Sequence, residues 1–173
     1  MSRPAHEFAT ELLTPRHQVA QFDSGQAETD TWLRRSALRA QQQGSARTRV
    51  LVPLGGRRVL GFYAVTPHDT YRADLPGAAA GGLRVVPGYL LAQLAVDRSL
   101  QGTGMGGALL LDALENIVAA SVTVGGRLVV VDAVDQAALG FYEHHGFIRI
   151  GTSQRLYLKI SRIDGSLRPS TGQ

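Results

Sequence analysis

The stretch Leu90-Leu91-Ala92-Gln93-Leu94-Ala95-Val96-Asp97 is apolar until it meets an acid. A short turn follows, then Gln101-Gly102-Thr103-Gly104-Met105-Gly106-Gly107, then a pattern of helical period. Strand, glycine-rich loop and helix in that order confine the chain to folds that open a helix directly beyond a buried strand. The first N–H groups of such a helix have no partner within it, and the helix dipole adds positive potential, so the loop is a ready anion site. A dinucleotide fingerprint needs Gly-x-Gly-x-x-Gly after the first strand of a βαβ unit, whereas these glycines come late and with different spacing. The Gly-Lys-Ser/Thr of a phosphate loop is absent. Glycines that only permit a tight strand–helix turn stay open as an alternative at this point.

The rest of the chain is read around that stretch. Residues 8–14 form a first strand, ended by Pro15. Asp23 or Ser24 caps a helix over about 26–34, with Asp23 and Gln26 at capping-box spacing. A second helix over about 35–43 carries Arg35 and Arg39 on one face, and Gly44 closes it. Residues 47–53 and 57–66 pattern as a hairpin, and residues 67–88, rich in proline and glycine, as a long irregular segment. A buried strand covers 89–96, a helix 104–122, a buried strand 127–134, a short helix 136–145 and a last hairpin 147–151 with 154–160. The order β-α-α-β-β-β-α-β-α-β-β predicts an α/β (α+β) fold. Its sheet is mixed, mostly antiparallel, of six or seven strands, with a parallel central pair and helices on both faces. A single domain is expected over residues 1–160, followed by a polar, disordered tail at 161–173.

With no cysteine, disulfides, zinc–thiolate sites and a cysteine nucleophile are excluded. No metal site is expected: His144 and His145 lack further ligands at suitable spacing and read as surface or helix C-cap residues, while His6, His17 and His68 are isolated. No apolar run approaches the roughly 20 residues that span a bilayer, and no signal-peptide core opens the chain, so a cytoplasmic protein without a membrane partner is expected. The net charge is +4, and the informative part is its distribution: between Asp30 and Asp69 there are seven arginines and no acid. Of these, Arg34, Arg35, Arg39, Arg47 and Arg49 are candidates for RNA phosphate contact, with a solvated face or a partner-docking face as the competing readings.

The pattern Gln/Arg-x-x-Gly-x-Gly/Ala after a Leu-Ala-Val-Asp strand resembles the acetyl-CoA loop of the GCN5-related N-acetyltransferases (GNAT family). Gln101, Gly104 and Gly106 match it position by position. Downstream, the segment from Asp135 through Ala138, Phe141-Tyr142 and Gly146-Phe147 resembles the second motif of that family. Within the family the chain is most similar to the toxin acetyltransferases of toxin–antitoxin pairs. The residues that carry this are Phe22-Asp23-Ser24-Gly25, Trp32 to Leu38 and Gln93-Leu94-Ala95-Val96-Asp97, with Gln93 and Gln101 standing where those toxins often have Arg.

The resemblance implies an acetyl-CoA-dependent N-acetyltransferase, releasing coenzyme A, that acetylates the α-amino group of aminoacyl-tRNA and blocks translation. It further implies an antitoxin partner of ribbon–helix–helix type and a homodimer. It assigns the coenzyme to Leu94, Ala95 and Val96 (pantetheine arm and thioester carbonyl), to Gln101, Gly102, Thr103, Gly104, Met105, Gly106 and Gly107 (pyrophosphate), and to Asp135 and Phe141. It makes Tyr142 the general acid; the residues alone fit a packed core aromatic equally well. Asp97 is a possible base, or only a cap for the turn that follows it. An ordinary acetyltransferase of a small-molecule or protein amine, and a non-catalytic coenzyme- or RNA-binding module, are the competing functions.

Overall fold

The computed structural model describes residues 7–167. Its elements are β1 (Phe8–Leu12), α1 (Ala27–Arg35), α2 (Ala37–Gln42), β2 (Arg47–Pro53), β3 (Gly61–Tyr71), β4 (Val85–Val96), α3 (Met105–Val124), β5 (Leu128–Asp132), α4 (Gln136–His144), β6 (Ile148–Arg149), β7 (Arg155–Lys159) and α5 (Ile160–Leu167), with 3-10 turns at Arg72–Asp74 and Arg98–Leu100. The strands form one seven-stranded sheet in the order β1-β2-β3-β4-β5-β7-β6. β4 and β5 run parallel, joined by α3; β1–β2, β2–β3, β5–β7 and β6–β7 are antiparallel. The expected mixed sheet with a parallel central pair is therefore present. The chain divides into two compact units: residues up to Thr66 with Ala92–Ala113, and Pro67–Leu91 with the residues from Leu114 onward.

In the first unit, alternation along β2 and β3 sorts side chains onto two faces. Val50, Val52 and Phe62 pack with Leu33 and Ala37 of the helical pair. Phe62 is the centre of this cluster: Trp32 stacks on it (centroids 6.1 Å apart, 10° between planes) and Phe22 meets it edge-on at 5.5 Å. Each buried side chain of this size contributes about 1.5–3 kcal/mol. The neighbouring Tyr63 points to the other face, where its hydroxyl donates to Asp112 of α3 at 2.7 Å, and Thr10 donates to the same carboxylate at 3.0 Å. So α1 and α2 cover one face of this part of the sheet and the start of α3 the other.

Two local expectations are corrected here. The α1 cap is not the Asp23–Gln26 box. The Ser24 hydroxyl accepts from the Gln26 N–H, while the buried Asp30, inside α1, takes both the N–H and the hydroxyl of Ser24. Asp23 instead bonds the Gly25 N–H at 2.9 Å. Arg35 and Arg39 also do not share a helix: α1 ends at Arg35, Ser36 is a distorted junction at φ −118° within the right-handed helical region, and α2 starts at Ala37.

In the second unit, Leu128, Val129, Val130 and Val131 are all buried, as the apolar run predicts for a strand flanked on both sides. Here the sequence reading erred most. The irregular segment assigned to 67–88 is shorter than expected: β3 continues to Tyr71 and β4 begins at Val85, leaving 72–84 outside the strands. Pro67 is tolerated inside β3 because pairing with β2 ends at Val65, so its missing N–H removes no β2 ladder bond. The tail expected from 161 begins as helix α5, anchored by the buried Ile160 and Ile163; residues 168–173 lie outside the described residues. α3 is also longer and more apolar than expected: by length and composition alone its 20 residues would suffice to cross a membrane. It carries Asp112 and Glu115, and Leu109, Leu110, Ala113, Leu114 and Ile117 are buried in protein.

Because Asp30 closes the α1 entry, Asp30→Ala should lower stability by about 1–3 kcal/mol through the orphaned Ser24 groups, read as a lower urea midpoint at unchanged m-value.

Candidate functional site

β4 carries the chain into the glycine loop. Its parallel ladder with β5 covers Gly88–Leu91 and stops, so Ala92–Val96 run on beyond it. Leu94 and Ala95 are half-buried and Val96 buried, with Asp97 closing the strand. Asp97 is 5% exposed and accepts from the Asp23 N–H at 3.0 Å, the Ser99 N–H at 3.0 Å and the Ser99 hydroxyl at 2.8 Å. Burial pushes its pKa up, but these donors and the charge of Arg58 outweigh burial and hold the carboxyl below the ordinary Asp range. A carboxylate so thoroughly bonded is a structural anion and a poor base, which favours the cap reading of Asp97.

Beyond Asp97 the loop is shaped by two glycines. Gly102 (φ 75°) and Gly104 (φ 86°) sit in the left-handed region, and a Cβ at either would meet nothing within 4 Å. These positions need glycine for backbone geometry rather than for space, and residues 101–104 are exposed. The Thr103 hydroxyl donates to the Leu100 carbonyl, while Met105, Gly106 and Gly107 begin α3 half-buried. The backbone of 102–107 thus leads to the N-terminus of a 20-residue helix, which fits a pyrophosphate.

The Gln101 side chain does something else. Its amide donates to the Ser24 carbonyl at 2.7 Å and the Val96 carbonyl at 3.0 Å. Both N–H donors are spent on tethering the α1 entry to the strand end, so an anion in the loop depends on backbone amides.

In the second unit, Asp135 is the N-cap of α4 and accepts from the Ala138 N–H at 2.8 Å. Its place in the motif is thereby explained as a device that starts the helix bearing Phe141 and Tyr142. Tyr142 is buried, its ring held edge-on by Phe141 at 5.2 Å and Phe147 at 5.5 Å. Its hydroxyl makes no hydrogen bond among the described residues, and burial pushes its pKa well above the ordinary tyrosine value. It is a fixed phenol that keeps its proton at neutral pH. His145 is the C-cap of α4, its Nδ1 bonded to the Phe141 carbonyl at 2.8 Å. No cluster of metal-ligating side chains occurs among the described residues.

The five candidate RNA-contacting arginines fall into two groups. Arg34 donates to the Phe22 carbonyl, Arg47 to the Gln41 carbonyl and Arg49 to the Thr10 carbonyl, and the Arg49 Nε is buried without a partner. Arg35 and Arg39 are exposed, with no ion pair or hydrogen bond among the described residues. Sequence reasoning missed a cavity of about 620 Å³ in the second unit whose lining includes His68, Thr70 and Arg155. The alternation His68-x-Thr70 was its only trace, inside a segment read as irregular.

The pH response of Asp97 follows from its depressed pKa. Its stabilising contribution is complete above the unfolded-state value of about 3.9 and is lost as pH falls through the lower folded value. Asp97→Asn should therefore unfold more easily than wild type at pH 7. The gap should narrow below pH ~4, read by thermal melts across pH.

Comparison with known proteins agrees with this arrangement. Residues 46–149 match the family model of the acetyltransferase (GNAT) domain. The chain is 37% identical over 153 residues to the tRNA-acetylating toxin of Mycobacterium tuberculosis, covering 88% of this chain and 90% of that protein. Among solved structures it is similar to AtaT complexed with acetyl-methionyl-tRNAfMet (TM-score 0.85, 28% identity, 94% of this chain and 100% of that one). It is also similar to a mutant AtaT toxin bound to the C-terminus of the antitoxin AtaR and to acetyl-CoA (TM-score 0.81, 27% identity, 93% and 98%). The chain belongs to the GCN5-related N-acetyltransferases.

Proposed function

We propose that this chain is a toxin that transfers acetyl from acetyl-CoA to the α-amino group of aminoacyl-tRNA and so blocks translation. The observation that carries the acceptor is the 37% identity to a tRNA-acetylating toxin across 88% of the chain. Acetyl-CoA supplies an activated thioester; the chain's residues bind, orient and manage protons. The N–H groups of Gly102, Thr103, Gly104, Met105, Gly106 and Gly107 take the pyrophosphate, supported by the exposure of 102–104 and the place of 105–107 at the head of α3. The backbone of Leu94, Ala95 and Val96, beyond the reach of the β5 ladder, holds the pantetheine arm and polarises the thioester carbonyl by a fixed N–H. Phe141 supports Tyr142 by ring packing, and Asp135 supports both by starting α4.

As the amine nitrogen forms the C–N bond and the C–S bond breaks, Tyr142 protonates the departing thiolate from its Oη; the proton shed by the amine nitrogen passes to solvent, from which the phenolate is reprotonated. A phenol above its usual pKa gives a proton to a thiolate of pKa ~8.5 only when transfer is concerted with C–S cleavage, which demands a fixed position. The packing of its ring supplies that. No side chain serves as base: an α-amino group has pKa ~7.7–8.0, lowered further by esterification, so a large share is neutral at physiological pH. Arg35 and Arg39 contact RNA phosphates, while Arg34, Arg47 and Arg49 add charge from tethered positions. The chain works in the cytoplasm as a homodimer restrained by a ribbon–helix–helix antitoxin; the antitoxin partner alone is supported by the AtaT relative bound to the C-terminus of AtaR.

Incubation with acetyl-CoA and bulk charged tRNA should yield N-acetyl-aminoacyl-tRNA by mass spectrometry. Acetylation confined to free amines would overturn the acceptor. Tyr142→Phe should lower kcat by about 10²–10⁴-fold with acetyl-CoA affinity kept, and full kcat in that variant would remove the acid role. Removing Arg35 and Arg39 together should reduce the slope of log affinity for tRNA against log salt by about 1.4–1.8, whereas an unchanged slope would place RNA elsewhere.

A further inference from the structure

Tyr142 stands at a weak point of its helix. α4 runs from Gln136 to His144, and Tyr142 falls in its last turn, just before the C-cap His145. The last carbonyls of a helix have no partner inside it, and helix ends fray. A phenol that must meet a departing thiolate in a fixed position needs that turn secured.

His145 secures it in two ways. The first is a hydrogen bond. Its Nδ1 donates to the Phe141 carbonyl at 2.8 Å; a carbonyl only accepts, so Nδ1 carries a proton. The backbone bonds at this helix end are longer. The His145 N–H is shared between the Phe141 carbonyl at 3.3 Å and the Tyr142 carbonyl at 3.1 Å, and the Phe147 N–H also reaches the Tyr142 carbonyl at 3.1 Å. The carbonyl that the imidazole grips belongs to the same planar peptide unit as the Tyr142 nitrogen. Fixing that plane fixes the direction in which the Tyr142 side chain leaves the backbone. The second is ring packing. The imidazole lies 4.6 Å from the Phe141 ring, which meets Tyr142 edge-on at 5.2 Å, and Phe147 meets Tyr142 at 5.5 Å. The row passes from the half-buried His145 and Phe141 to the buried Tyr142 and Phe147. The adjacent His144 is exposed and makes no hydrogen bond among the described residues, so it has no share in the grip.

We propose that His145 is a positioning residue for acetyl transfer. Its bond to the Phe141 carbonyl, with its ring set against that of Phe141, places the Tyr142 hydroxyl. His145 touches no reacting atom and acts only through Tyr142, so its role rests on the reading of Tyr142 as the acid.

The test uses the full chain in steady-state acetylation of bulk charged tRNA by acetyl-CoA, together with amide hydrogen exchange of α4. His145→Ala should lower kcat about tenfold with KM for both substrates unchanged, because a displaced acid slows the chemical step and leaves binding alone. His145→Asn, whose side-chain amide donates from the place of Nδ1, should recover most of the loss, and His144→Ala should show none. His145→Phe, which keeps a ring without the donor, should match His145→Ala and carries the test if the alanine variant melts early. In a Tyr142→Phe background, His145→Ala should cost nothing further. Exchange of the Phe147 amide should speed up about tenfold in His145→Ala and stay at the wild-type rate in His145→Asn. A kcat loss that persists in the Tyr142→Phe background, or that His145→Asn fails to recover, would overturn the positioning role. Unchanged Phe147 exchange in His145→Ala would overturn it on any acceptor. Full kcat in Tyr142→Phe alone would remove both roles, whereas a slow Tyr142→Phe beside an unimpaired His145→Ala would remove only that of His145.

Discussion

The carboxylate of Asp97 is the constraint on which the first unit depends. It ends β4, yet its bonds reach across 74 residues of sequence to the Asp23 N–H and forward to Ser99. Arg98 repeats the connection, its N–H donating to the Asp23 carbonyl at 2.9 Å and its guanidinium lying 3.2 Å from the Asp23 carboxylate. Gln101 adds the Ser24 and Val96 carbonyls. Strand end, α1 entry and glycine loop are thus fixed to one another by polar contacts. The exposed ion pair adds little to that fixation; the buried carboxylate with three donors adds most. Because Asp97 and Gln101 absorb the local donors and acceptors, the N–H groups of the loop beyond them need not fold back on their surroundings. A loop that is itself unsatisfied but held by satisfied neighbours is preorganised for an anion.

This explains why Gln at position 101 is compatible with a phosphate loop. A side chain that reached for the phosphate could not also tie Ser24 to Val96. On the proposed reading, the grip on an anion would fall to backbone amides and the helix dipole, while the Gln101 side chain maintains the frame. The arginine stretch divides in the same way. Arg34, Arg47 and Arg49 use their rigid forks to satisfy backbone carbonyls, which leaves their charge unneutralised while removing their freedom. Of the five candidates, Arg35 and Arg39 are exposed without such a bond among the described residues, and they fall on separate helices on either side of Ser36.

Legibility followed the range of the interaction that decides each element. The Val129–Val131 run, the helix after the glycine loop and the Phe141-Tyr142 helix could be read because burial on both faces or a 3.6-residue period is written locally. Glycines at 102 and 104 could be read as a loop, but that their φ values rather than their size require glycine could not. Pro67 and the glycines after it argued for an irregular segment; that the pairing of β3 with β2 ends at Val65, which makes Pro67 harmless, is a fact of register between strands. The α1 cap was misplaced for a similar reason. Asp23 had the right spacing for the box, but it was committed to Gly25 and Arg98, and Asp30 took its place. The polar tail misled because average composition hides Ile160 and Ile163, three residues apart and both buried.

The remaining asymmetry concerns protons. The chain holds one phenol whose burial keeps it protonated and whose hydroxyl is not consumed by a neighbour, and one strand-end carboxylate held ionised by three donors. Each is stabilised in one protonation state, so neither shuttles a proton by itself over the neutral range. On the proposed reading, such a catalyst would supply an acid at the moment the thiolate departs and no base. The amine must then arrive neutral, and the substrate rather than the protein sets the lower limb of the pH–rate profile. An α-amino group on an ester meets that demand at neutral pH, whereas a lysine side chain, with a pKa near ~10.4, would be almost wholly charged. On the proposed reading, a site that works without a side-chain base would favour amines already neutral at physiological pH, the class to which aminoacyl-tRNA belongs.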